Sequence, residues 1–192
     1  NHQDAWEYIS SWKYGRQKEG RITGCRTEGG LLWAAASHAN YEPVIHTRAL
    51  ALVHGEFLMV MDVVDHLKPE DTVQIQFHID RPHLHLKDQT ATAQWNEDVS
   101  LTVTSNAGSP ALIPARISDR NDIYRDSTIL QYQKSQPEET EVFISVLCPA
   151  KGKTAPVPQH ITVSRYPEAA VSFLLSGVQY SFGLTAHELK KL

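Results

Sequence analysis

Long apolar runs are missing from this chain of 192 residues: no stretch approaches the about 18–20 consecutive apolar residues that a membrane-crossing helix requires. A surplus of positive charge is missing too. Lys and Arg number 18 against 22 Asp and Glu, a net charge of −4 with a pI near 6.2, which offers no footprint for nucleic acid. Cysteine is scarce. Cys25 and Cys148 stand at no metal-binding spacing, and each lies among apolar, strand-like residues, so two unpaired core thiols are expected. A disulfide between them would need their strands to be neighbours. There is no Gly-rich phosphate loop, no Gly-x-Ser-x-Gly elbow and no His-Glu-x-x-His, so no cofactor is expected from motifs. Asn1 to Trp6 show neither an initiator Met nor the charged-then-apolar order of a secretory leader. A piece cut from a longer protein is the expected reading.

What the chain does have is alternation. Thr72–Ile79, Val99–Thr104, Val142–Leu147 and Ile161–Ser164 each alternate apolar with polar residues, the period-two mark of strands with one wet face. Turn clusters such as Ser105–Pro110 and Ala150–Pro156 separate them at the spacing of antiparallel meanders. Val44–Val53 and Glu56–Asp65 read as two long strands reversing at His54-Gly55. Altogether about a dozen strands are expected, stacked as two antiparallel sheets, an all-β sandwich forming a single domain over residues 1–192. The 41% hydrophobic content supplies the core such a domain needs. One short helix is expected at the C-terminus, where Thr185 and Glu188 make a capping box before Leu189–Leu192.

The order of several parts points to a family. His46-x-Arg48, an apolar strand, a short turn and an apolar strand reaching Asp62 precede a strand with Phe77-His78. Later, Thr128–Lys134 leads through Pro137 to Val142–Pro149. This succession, over residues 3 to 165, resembles the C-terminal β-sandwich module of heparinase II/III-like polysaccharide lyases. The resemblance implies a parent that cleaves acidic polysaccharide by β-elimination, an upstream helical toroid carrying much of the cleft, and periplasmic or secreted placement. In that family a His-x-His-x-Asp motif and a His-Asn pair serve catalysis and a structural zinc, and neither motif is found here. The chain is therefore expected to open just after the His-Asn strand and to be non-catalytic on its own. A non-catalytic carbohydrate-binding or scaffolding module for capsule or exopolysaccharide is the alternative.

Three groups of side chains invite a role. His83 and His85 would project from one strand face about 6.5–7 Å apart, with His78 or Asp80 as a third metal ligand, yet the alternation puts all four on the wet side. His46 and Arg48 share a face at the margin of an apolar surface, placed to hold Asp62 on the next strand by charge-assisted hydrogen bonds. Such a contact orients strands rather than performing a reaction. In the opening segment, Trp6, Tyr8, Trp12, Lys13, Tyr14 and Arg16 interleave aromatic and basic residues. Aromatic platforms suit sugar faces and cations suit uronic or sulfate groups, which makes Trp12, Lys13, Tyr14 and Arg16 the candidate glycan contacts. Packing of the same aromatics against a neighbouring domain is the other reading.

Overall fold

A computed structural model of the chain describes residues 6–10, 13–17, 20–80, 82–120, 123–152, 154–164, 169–184 and 189–191. These residues form strands and connections, with no helix among them. A hairpin of β1 (Trp6–Ser10) and β2 (Lys13–Gln17) opens the chain. A central eight-stranded sheet holds β3 (Gly20–Glu28), β4 (Leu31–Tyr41), β5 (Val44–Val53), β6 (Phe57–Asp65), β8 (His83–Lys87), β9 (Thr90–Gln94), β10 (Val99–Ser105) and β13 (Thr140–Lys151). Its strand order is β3-β4-β5-β6-β13-β10-β9-β8. A second sheet runs β11 (Ala111–Arg120), β12 (Ile123–Ser135) and β7 (Thr72–Ile79). A third runs β14 (Gln159–Val163), β15 (Ala169–Leu175), β16 (Val178–Leu184) and β17 (Leu189–Lys191). Every pairing is antiparallel.

Alternation along the strands explains the layering. On β13, Ile144, Val146 and Cys148 turn to one face of the central sheet and Phe143 to the other, so this strand is buried on both sides and reads as a nearly continuous apolar run. The first face packs Trp33, Ala51, Met59 and Ile144 against Val171, Phe173 and Phe182 of the β15 sheet. The second packs Ala91, Val103 and Phe143 against Ile75, Leu130 and Tyr132 of the β7 sheet. The expected all-β antiparallel sandwich is thus what forms, with seventeen strands among the described residues and a cover sheet on each face of the central one.

The β5–β6 reversal falls where the sequence places it. His54 and Gly55 take φ of 50° and 72°, and Glu56 N–H donates to the Val53 carbonyl at 2.9 Å. Gly30 supports the same corner: its carbonyl accepts the His54 N–H at 2.7 Å, and a Cβ at this position would overlap the His54 ring. The C-terminal helix is a correction. Leu189–Lys191 forms a strand paired to Phe182–Leu184, while Thr185–Glu188 lie outside the described residues. Three residues are too few to nucleate a helix, and the open edge of β16 supplies ladder partners directly. The thiols need a correction as well. Cys148 is buried but Cys25 is exposed, because β3 is an edge strand over a part of the central sheet that the β7 sheet does not cover. Three strands separate β3 from β13, about 19 Å at ordinary strand spacing, so the two thiols are unpaired.

Candidate functional site

The register of β4, β5 and β6 brings four polar side chains to one face of the central sheet. His38 pairs with His46 across β4 and β5, and Arg48 pairs with Asp62 across β5 and β6. Arg48 Nε donates to Asp62 Oδ1 at 2.7 Å and Nη2 to Oδ2 at 3.1 Å, a forked bond to a side chain only 3% exposed. His46 Nε2 meets the same Oδ1 at 2.6 Å. The partners set the proton positions. A carboxylate only accepts, so His46 Nε2 carries hydrogen and its Nδ1 accepts. Nδ1 lies 3.1 Å from His38 Nε2, which must therefore be the donor. His38 Nδ1 in turn accepts the Asn40 backbone N–H at 3.3 Å. The result is a one-directional wire, Asn40 to His38 to His46 to Asp62, with both imidazoles neutral and every ring nitrogen engaged.

Electrostatics follow from this arrangement. Burial alone would raise the Asp62 carboxyl, but the hydrogen bonds from His46 and Arg48, together with the Arg48 charge, hold it below its ordinary value. Burial lowers His38 beneath its ordinary value; a charge on His46, were it protonated, would lower it further, and the Arg48 charge acts in the same direction. The Asp62 contacts are those expected from the sequence. His38 was not foreseen: its place opposite His46 depends on the β4–β5 turn, where the register shifts between His38 and Tyr41.

Beside this network the same face is bare. Cys25, Thr27, Leu32, Leu50, Leu52 and Leu58 line a shallow groove of about 580 Å³, and Leu32, Leu50 and Leu52 remain 51%, 44% and 39% exposed. The groove is open because the β7 sheet covers β6, β13, β10 and β9 and on β5 reaches Val44 but not Leu50 or Leu52.

The other candidates lie apart. Trp12 is outside the described residues; Lys13 is exposed on β2; Tyr14 and Arg16 contribute backbone to β2, their side chains being outside the described set. His78 is exposed on β7, and His83 and His85 are exposed on β8, in a different sheet. Asp80 is forked to Arg125. Among the described residues no three His, Cys, Asp or Glu side chains converge as a metal set. A structural zinc of the kind the sequence resemblance implies does not fit the His38–His46 pair either. The Asn40 N–H requires hydrogen on His38 Nε2, the atom that would have to ligate, and the pair offers two nitrogens where a structural zinc takes four ligands.

Chemically, the network is a staple. A general base needs a free lone pair within reach of a substrate proton, and both imidazoles have spent theirs on each other and on Asn40.

No family model and no curated protein matches this chain. Solved structures do. The heparan sulfate lyase HepC from Pedobacter heparinus is similar at a TM-score of 0.74 and 14% identity, over 88% of this chain and 28% of its own. A heparinase III gene product, in a form with methylated lysines, is similar at 0.76 and 15% identity, over 95% of this chain and 29% of its own. A further heparinase III reaches 0.70 at 18% identity, over 86% of this chain and 27% of its own. The chain therefore spans between a quarter and a third of the length of the structures it matches. At these identities the likeness is one of fold: this chain is built as the β-sandwich portion of heparinase III structures is built, consistent with the C-terminal module its sequence resembles.

Proposed function

We propose that this chain is the β-sandwich module of a heparinase-like lyase whose whole form cleaves acidic polysaccharide by β-elimination, the module itself being non-catalytic. The observation that carries this reading is the match itself, nearly the full length of this chain against little more than a quarter of each lyase. In β-elimination a base takes the proton alpha to a uronic carboxyl group, and the C4–O bond breaks to leave an unsaturated sugar. The engaged imidazoles of the staple support placing that base on another part of the parent. The module's work is then to stiffen one wall of the cleft, with the bare apolar face of β3 to β5 available to an upstream helical domain. Trp12, Lys13, Tyr14 and Arg16 are the proposed glycan contacts, and a periplasmic or secreted location is part of the same reading.

The test is to incubate the chain with heparan sulfate, hyaluronan and alginate while following the ultraviolet absorbance of unsaturated product. No turnover is expected; turnover would refute the non-catalytic claim. The reading frame upstream separates the lyase from a carbohydrate-binding module, since a lyase requires the His-x-His-x-Asp and His-Asn strands there. Titrating the same glycans against tryptophan fluorescence tests the proposed contacts, and an unchanged signal counts against them.

A further inference from the structure

We propose that the His38–His46–Asp62 wire is a pH-sensitive latch: one added proton reverses the hydrogen at His38, releases the Asn40 N–H and loosens the β4–β5 turn.

The argument begins with Asn40. The β4–β5 register shifts between His38 and Tyr41, so the Asn40 amide falls where the ladder is interrupted, and the His38 ring provides its acceptor. An incoming proton can enter only at the two ring nitrogens that now accept, His46 Nδ1 and His38 Nδ1, and at either it displaces the hydrogen bond received there. A proton on His38 Nδ1 confronts the Asn40 N–H directly. A proton on His46 Nδ1 confronts the His38 Nε2 hydrogen, and the contact survives only if His38 moves its hydrogen to Nδ1, again confronting Asn40. By both routes Asn40 loses its acceptor and the adjacent turn loses an anchor. The turn keeps the Glu42 N–H bond to the Ala39 carbonyl at 3.3 Å.

Charged and titratable groups stand around the pair on each neighbouring strand. From β5, Arg48 faces the pair; from β6, Asp62; from the end of β4, the Tyr41 ring lies 5.7 Å from His38; Glu42 in the turn is exposed. On β13, the residue opposite Asp62 is Phe143, and Glu141, opposite Val64, is tied to Lys134. On β3, Gly20 is the residue opposite His38 and has no side chain to titrate. Arg48 neutralises Asp62, so the carboxylate has no spare charge to welcome a second cation, and burial and Arg48 both disfavour a charged His38.

Long-range ¹H–¹⁵N correlation of the histidine rings of the folded chain, from about pH 8 to about pH 5, tests this directly, that being the span in which histidines charge. At the upper end both rings are expected with hydrogen on Nε2 and a bare Nδ1. On acidification one proton, not two, is expected to enter the pair, and the Asn40 amide shift and solvent exchange should move with the same midpoint. Hydrogen on His38 Nδ1 at the upper end, independent titration of the two rings, or an Asn40 amide indifferent to the transition would overturn the proposal. In His38→Gln the Asn40 amide should lose its pH response. An unchanged response there would also overturn it, and if that variant does not fold the wild-type ring spectra decide alone.

Discussion

Replacing Asp62 by Asn removes a charge and nothing else in size, so it isolates what the forked pair contributes. The carboxylate accepts three hydrogen bonds, two from Arg48 and one from His46, at 2.7, 3.1 and 2.6 Å. An amide retains one acceptor oxygen and turns an NH₂ toward donors, leaving at least one buried N–H facing another. A charge-assisted hydrogen bond contributes about 1.5–3 kcal/mol, and breaking one partner of a buried pair costs about 3–5 kcal/mol. Arg48 is 42% exposed and regains water when released, which discounts the upper figure. The expected loss is about 2–4 kcal/mol. For a chain of this size that lowers Tm by about 6–12 °C for a mid-range loss of about 3 kcal/mol. Urea unfolding of both proteins across pH supplies the sharper check. Both Asp62 and His38 are held below their ordinary values in the folded state, so each binds more protons when unfolded, and each contributes stability that falls as pH falls. The His38 contribution begins to fade below about pH 6.5 and the Asp62 contribution only below about pH 4. Wild type should therefore weaken in two stages, and Asp62→Asn should keep the first and lose the second. A loss under about 0.5 kcal/mol, or a variant that keeps the lower stage, would refute the reasoning.

The register of β5 gives a second test. Ala51 is fully buried while Leu50 is 44% exposed, so Ala51→Leu should cost about 1–3 kcal/mol in urea unfolding and Leu50→Ser less than about 0.5 kcal/mol; the reverse order would mean the strand is turned over. The thiols should differ sharply: Cys25 is exposed, whereas burial pushes Cys148 up to about 11, so a disulfide reagent should modify one thiol of the native chain and the second only on unfolding. Equal rates would contradict the placement of β13. Tyr132 donates to the Val103 carbonyl at 2.7 Å from a fully buried ring, and Tyr132→Phe should cost about 1–2 kcal/mol by thermal unfolding, with an unchanged Tm counting against that bond.

What could be read from the amino acids divides along the range of the interactions involved. The β5–β6 hairpin was legible because a three-residue reversal with two positive φ values fixes every pair that follows, and Arg48 therefore faces Asp62 by counting outward from His54-Gly55. The same counting fails one hairpin earlier. The β4–β5 connection takes up an extra residue between His38 and Tyr41, a choice made by packing rather than by any single side chain, and His38 stayed out of sight until the register was known. Cys25 and the tail were misjudged for a related reason. Whether a strand face is buried depends on how far a sheet from elsewhere in the chain extends over it, and three residues at a chain end take whatever edge is open.

That division bears on how this face of the sheet is held. The apolar groove and the staple share one face of β4 and β5, and the groove is open only because the β7 sheet ends before it. An apolar face of this kind is unstable as a wall unless its strands are held in register, since a slip of one residue would turn Leu50 and Leu52 inward and Ala51 outward. Ladder bonds alone do not forbid such a slip, because they are nearly equivalent in each register. The forked bond between Arg48 and Asp62 does forbid it: a carboxylate 3% exposed cannot give up all three of its donors without a penalty larger than any single ladder bond. The polar staple is thus the condition for the apolar face, and the two form one arrangement.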